Sequence, residues 1–349
     1  MRFSAKTLTV ALSMSVLAVT AAPPTDAQSL RDRMRERMQQ RGGGMGGGMG
    51  GGLRGGMRGG ALPAGTERVE IAVDGQTRAF LVHTPADADP RPAVMLTLHG
   101  GGGSASGMAS NNTMAAQADR DGFLAVFPEA LDGTWNDGRA AARDKADDIA
   151  FLRAVVDWLV ENEGADRARV YATGISNGGA MAHNLACNAP DLVAGIAPVA
   201  ANFSETLYAA CKPVAAIPVV MFSGTEDPLM LYDGGRPNLN LPGRGRGGSG
   251  GGAGGENLVP AETTIRFWAD TAGCGSATAT DLPDSAEDGT TVTRLDYACG
   301  TVPVSFFRIE GGGHTWPGGR SMTGRMADFI GTTSQDIDAS AEIARFFGL

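Results

Sequence analysis

Two apolar rhythms alternate along the chain from Arg68 onward. RVEIAV (68–73) and TRAFLVH (77–83) read as strands with no helix between them, which predicts an antiparallel hairpin at a sheet edge. The runs AVMLTLH (93–99), FLAVFP (123–128), RVYATG (169–174), AGIAPVA (194–200), PVVMFSG (218–224) and VSFFRIEG (304–311) are nearly continuous in apolar residues. Strands of that kind are buried on both faces, as in a parallel sheet covered by helices. Between them the period lengthens. Helices are predicted over 107–120, 147–163, 177–187, 261–272 and 337–347, and in the second Ile149, Leu152, Val156 and Leu159 recur at spacings of three and four, one buried stripe. The fold class is therefore α/β, a mostly parallel central sheet with helices on both faces and an antiparallel edge hairpin.

The rest of the chain lacks this texture. Residues 1–27 carry Arg2 and Lys6, an apolar run from Leu8 to Ala22 and then small residues, which reads as a secretory signal cut after Ala27 or near Ala22. The run is short for a bilayer span. Residues 28–63, rich in Arg, Gly and Met, cannot build a core and read as a leader; its methionines and arginines are weak candidates for copper(I) or an anionic surface. A second glycine-rich run, about 243–257, interrupts the domain that occupies 64–349. Net charge is −9 with four histidines, so nothing beyond the leader offers a basic footprint for nucleic acid. Export places Cys187, Cys211, Cys274 and Cys299 in an oxidising compartment. Two disulfides follow, nearest neighbours in sequence being the economical pairing of the three that are open.

Composition leaves chemistry to the motifs. Ser176 lies in TGISNGG, a G-x-S-x-G with a strand before it and a helix after it, the setting that exposes a serine hydroxyl above a sheet. Ser249 matches the same pattern inside a glycine tract and has neither flank. A serine needs a base, and the base needs an acceptor. His183 is too far along the helix from Ser176, His83 falls in the edge strand, and His99 precedes a glycine loop that it would order. His314, in EGGGHTWPG after the last strand, shares the rim with Ser176 and is the candidate base. Asp227, three residues past Gly224, is the candidate acid, with Glu226 and Asp233 as rivals. The oxyanion donors would be the amide of Asn177 and those of Gly101 and Gly102 in LHGGGGS. That loop lacks the G-K-[ST] of a phosphate cradle, and neither cofactor nor metal is called for. Trp316, Trp135 and Asn136 are candidates for a substrate wall. Asp147 and Asp148 open a helix and would serve its dipole.

In order, LHGGGGS, TWNDGR, GISNGG, SGTEDP and EGGGHTWPG resemble the secreted α/β-hydrolases of the polyhydroxybutyrate depolymerase-like and feruloyl esterase-like group, relatives of carbohydrate esterase family one. The resemblance covers about 69–349. It implies Ser176, Asp227 and His314 as a catalytic triad and disulfides Cys187–Cys211 and Cys274–Cys299. It further implies an ester as partner: a hydroxyalkanoate oligomer or polyester, a hydroxycinnamoyl ester, or an acetyl ester of plant polysaccharide. A binding module on a hydrolase scaffold is the reading from a different class.

Overall fold

The structure, a computed structural model, describes residues 62–142, 146–236 and 256–349. The signal, the leader except its last two residues, and nearly all of the glycine-rich insertion lie outside the described residues. Strands β1 (Thr66–Val73) and β2 (Gln76–His83) form the expected hairpin. Its turn is Asp74-Gly75, both at positive φ (49° and 76°), which matches the twist of the flanking strands. Strands β3 (Val94–Leu98), β4 (Leu124–Pro128), β5 (Val170–Ile175), β6 (Gly195–Val199), β7 (Val219–Gly224) and β10 (Val304–Glu310) run parallel in the order β4-β3-β5-β6-β7-β10.

Along these strands successive side chains enter opposite halves of the core. Val94, Leu96 and Leu98 face one half and Met95 the other; Phe306 and Phe307 divide in the same way. Each half is sealed by helices. One receives α3 (Asp148–Glu163), α4 (Asn177–Asn188) and α6 (Ala261–Thr271), the other α1 (Ala105–Asn111), α2 (Met114–Asp121) and α8 (Ala339–Phe347), with α5 (Glu205–Ala210) and α7 (Arg325–Ile330) as short turns. Each fully buried Leu, Val or Phe contributes about 1.5–3 kcal/mol, so the double-sided strands carry most of the stability.

Two departures from the expected elements have clear causes. The helix predicted over 107–120 is α1 and α2, parted at Asn112, whose backbone is extended and whose Oδ1 accepts from the Met114 N–H at 3.0 Å. A side chain that caps the next turn competes with continuing the previous one. Strands β8 (Ala277–Asp281) and β9 (Thr291–Tyr297), unforeseen, add an antiparallel pair beyond β10. All of β8 is at least partly exposed, so it has no apolar alternation to read, only threonines that suit a pleated edge. Cys187 pairs with Cys211 and Cys274 with Cys299, tying α4 to the end of α5 and the end of α6 to the end of β9. Closing loops of this length contributes about 3 kcal/mol each.

β4 lies on one side of β3 and β5 on the other. The chain therefore reverses its direction of travel across the sheet between β3 and β5, and a crevice opens at their carboxyl ends.

Candidate active site

At that crevice β5 breaks into α4 at Ser176, held at φ 58°, ψ −123°. A residue with a Cβ at positive φ costs about 1–3 kcal/mol, so neighbours must over-determine the turn. They do: the Ser176 N–H donates to Val199 O (3.0 Å) and Ser176 O accepts from the Ala180 N–H (2.8 Å). The flanking glycines are needed for space. A Cβ on Gly178 would stand 2.3 Å from Leu98 O, and one on Gly174 2.6 Å from the Gly178 carbonyl carbon. The elbow is thus wedged against the end of β3 with its hydroxyl-bearing residue at a helix N-terminus.

β7 and β10 pair in parallel, so the loops that follow them leave the same rim. Asp227 and His314 meet there: the imidazole Nδ1 donates to Asp227 Oδ2 at 2.8 Å. The other carboxylate oxygen accepts the N–H groups of Leu229 (2.8 Å) and Met230 (2.7 Å), which leaves Asp227 4% exposed and fixed in orientation. With a carboxylate on Nδ1, that nitrogen carries the proton and Nε2 presents its lone pair. Glu226 and Asp233 are both exposed, and neither bonds to His314. The glycines before His314 work by close approach more than by bending. Gly313 N–H donates to Thr332 O (2.8 Å) and His314 N–H to Ile330 O (2.6 Å), and a Cβ on Gly313 would stand 2.2 Å from Ile330 O.

The other histidines are committed elsewhere. His83 pairs in register with Ala125, at the start of β4, which places it at the opposite rim; Thr66 and Asp119 take its ring nitrogens. His99 donates from Nδ1 to Gly100 O (2.8 Å) and accepts at Nε2 from the Ala130 N–H (3.1 Å). Burial lowers its pKa, keeping it neutral as it shapes the glycine loop. His183 is described below.

Within the loop the amides are not equivalent. Gly102 N–H donates to Gly133 O at 2.7 Å and Gly103 N–H to Gly100 O at 3.0 Å. Gly102, an expected oxyanion donor, is therefore occupied, whereas the Gly101 N–H takes no backbone acceptor among the described residues. Gly100 brings this loop to the elbow: its own Cβ would lie 3.5 Å from that of Ser176.

A family model described as Esterase PHB depolymerase matches residues 78–245. A putative esterase, NocK, of Nocardia uniformis subsp. tsuyamanensis is 34% identical over 273 residues, covering 73% of this chain and 75% of that protein. The chain belongs to this esterase family. Feruloyl esterase B of Piromyces equi is 28% identical over 245 residues, 68% of this chain and 42% of that protein, so the chain spans under half of that relative. Among solved structures, acetyl xylan esterase from Aspergillus awamori matches with a TM-score of 0.52 at 14% identity, over 81% of this chain and 99% of that one. That is a likeness of fold, and the fold is the α/β-hydrolase one.

In this esterase the two tryptophans expected at a substrate wall are turned into the core instead. Trp135 is fully buried, its Nε1–H donating to His99 O at 2.9 Å. Trp316 is 6% exposed and donates to Ser340 Oγ at 3.2 Å. A buried indole must place its N–H, and these two do so by bracing the loops that carry the site. Asn136 is likewise a brace: its N–H donates to Asp148 Oδ2 (2.7 Å) and its Nδ2 to Ala146 O (3.3 Å).

The motif reading passed over the side-chain roles of three residues beside them. Asn177, just after the elbow, accepts the Trp135 N–H on Oδ1 (2.8 Å) and donates from Nδ2 to Asp137 Oδ2 (2.6 Å); Arg139 closes on the same carboxylate with Nε at 2.8 and 2.9 Å. TWNDGR is thus a clamp on the residue after the nucleophile candidate. Its far end is held by a buried ion pair, Arg78 Nη2 to Asp148 Oδ1 at 2.7 Å, with the guanidinium 3.8 Å over the Phe151 ring. Asp147 caps α3, accepting the Ala150 N–H at 2.9 Å, and Asp148, in its first turn, also holds the loop through the Asn136 N–H. The spacing of Asp137, Arg139 and Asn177 carries no signal, because only the fold brings residues 40 apart together.

Proposed function

We propose that this esterase cleaves carboxylic esters through an acyl-enzyme, with Ser176, His314 and Asp227 as its catalytic triad. The observation that carries the reading is the Asp227–His314 hydrogen bond between the loops that follow two adjacent parallel strands, at the rim where the Ser176 elbow also emerges. His314 Nε2 takes the Ser176 proton as Oγ attacks the ester carbonyl, and the oxygen of that carbonyl becomes an anion. The amides of Asn177 and Gly101 receive this charge, Gly102 being engaged. The proton then passes to the departing alcohol, and water, activated by the same imidazole, releases the acid and restores Ser176. Asp227 holds the tautomer throughout.

Secretion belongs to the same proposal. It is supported by the two disulfides and the reading of residues 1–27 as an export signal. Ser176→Ala is expected to lower turnover of a p-nitrophenyl short-chain ester by about 10⁶ with an unchanged melting temperature. Undiminished turnover, or failure of a fluorophosphonate to label Ser176 in the parent enzyme, would remove the mechanism.

A further inference from the structure

Two amides can hold an oxyanion only if they stand at a fixed spacing, and here they come from different parts of the chain. The Asn177 N–H opens α4 and the Gly101 N–H follows β3; neither takes a backbone acceptor among the described residues. One segment, 133–139, is fastened to both sides. Gly133 O accepts the Gly102 N–H at 2.7 Å, and the Trp135 indole N–H donates to His99 O at 2.9 Å, so its first part holds the glycine loop. Its second part holds the head of α4: the Trp135 N–H donates to Asn177 Oδ1 at 2.8 Å, and Asn177 Nδ2 donates to Trp135 O at 3.2 Å and to Asp137 Oδ2 at 2.6 Å.

Of these ties only the one to Asp137 is made by an ion. A carboxylate accepts a hydrogen bond about twice as strong as a neutral acceptor does, but its charge then lies one side chain away from the place where the oxyanion would form. Unpaired and shielded from water, that charge would slow the reaction by about tenfold or more at an effective dielectric of about 20. Arg139 removes this cost. Its Nε donates to both Asp137 oxygens at 2.8 and 2.9 Å, its Nη2 also donates to Oδ2, and it pairs with no other carboxylate among the described residues. The carboxylate of Glu256 is spent on the N–H groups of Thr206 (2.6 Å) and Ala140 (3.2 Å). Both members of the Asp137–Arg139 pair are buried. A buried ion pair is a poor device for stability alone, since apolar residues of the same volume often hold a fold as well. Its place against the first residue of α4 is what gives this one a use.

We propose that Asp137 and Arg139 are positioning residues of the oxyanion site. The carboxylate fixes the head of α4 so that the Asn177 amide keeps its distance from that of Gly101, and the guanidinium cancels the field of the carboxylate where negative charge develops. The proposal rests on the acyl-enzyme reading for the identity of the two donors.

The test uses the full chain. It reads kcat and KM for a p-nitrophenyl short-chain ester, per site labelled to completion by a fluorophosphonate, and inhibition by phenylboronic acid, whose adduct with a serine is tetrahedral and anionic. Arg139→Leu leaves the carboxylate unpaired: kcat should fall about thirtyfold with KM within about twofold, and the boronic acid should bind more weakly by a similar factor. Adding Asp137→Asn removes the charge, keeps an acceptor for Asn177, and should recover about tenfold of that loss. Asn177→Ala keeps the backbone amide and the ion pair but cuts the tie between them; kcat should fall about tenfold, again with KM unmoved. This variant decides alone if Arg139→Leu does not fold. Unchanged kcat per labelled site, a double variant no better than Arg139→Leu, or a loss confined to KM would each overturn the positioning role, because a merely structural pair costs folded protein and leaves turnover per site intact. Ser176→Ala, measured alongside, separates the two readings. Full turnover there removes the acyl-enzyme mechanism itself, whereas an inactive Ser176→Ala beside an unimpaired Arg139→Leu removes the positioning role alone.

Discussion

His183 and His314 sit in two regions built from the same materials and do opposite things. His183 is fully enclosed in α4, stacked on Phe203 (4.5 Å between centroids) and edge to edge with Trp268 (5.9 Å), the two neighbours also touching each other (5.6 Å). Both of its nitrogens are used: Nε2–H donates to Ala201 O at 3.2 Å and Nδ1 accepts the Trp268 indole N–H at 3.1 Å. Burial pushes its pKa down to about 4. His314 stands on a rim loop with one nitrogen given to a carboxylate and the other uncommitted. In the proposed mechanism, what suits one imidazole and not the other to act as base is the number of ring nitrogens the fold leaves open.

The comparison can be broken most severely at His314. His314→Ala should lower kcat on a p-nitrophenyl ester by about 10⁶, and Asp227→Asn by about 10⁴ through loss of the correct tautomer, with circular dichroism unchanged in the first. His183→Leu should do the reverse. Activity per folded molecule stays within about twofold, while stability falls by about 1–3 kcal/mol because Trp268 N–H and Ala201 O lose their partner, read by urea titration. A large kinetic defect in His183→Leu would end the contrast.

The pH dependence separates the two rings further. Above about 6.5 the His183 ring is neutral both folded and unfolded and contributes no slope. As pH falls toward about 4 the unfolded chain binds a proton that the folded one refuses, so stability drops by at most ~1.4 kcal/mol per pH unit, levelling off below about 4. Denaturation of parent and His183→Leu across that window should show this component only in the parent. The smallest effect is expected beside His314: Trp316→Phe forfeits the bond to Ser340 at ~1 kcal/mol and leaves KM unmoved, whereas a substrate wall would raise it.

Much of the scaffold was legible because each inner strand is apolar on both faces and each helix on one. Residues such as Leu96 and Val126, or Leu152 and Val156, declare their element locally. Strand β8 did not, since an exposed threonine-rich edge has no buried face to declare. The turns that carry Ser176 and His314 stood out in the sequence because their flanking glycines, such as Gly178 and Gly313, are required by close backbone contact. Trp135 and Trp316 misled because an indole suits a ligand wall and a core equally, and only the acceptor found by its N–H tells which.

The order of residues alone determined the alternation of layers, the strained serine turn and which histidine stands on a loop, since all three depend on neighbours a few positions apart. Only the folded chain decided that Gly102 is spent on Gly133, that Asp137 grips Asn177, and that the indoles of Trp135 and Trp316 turn inward. Those outcomes turn on which hydrogen-bonding group reaches which partner across tens of residues, and that is settled by packing.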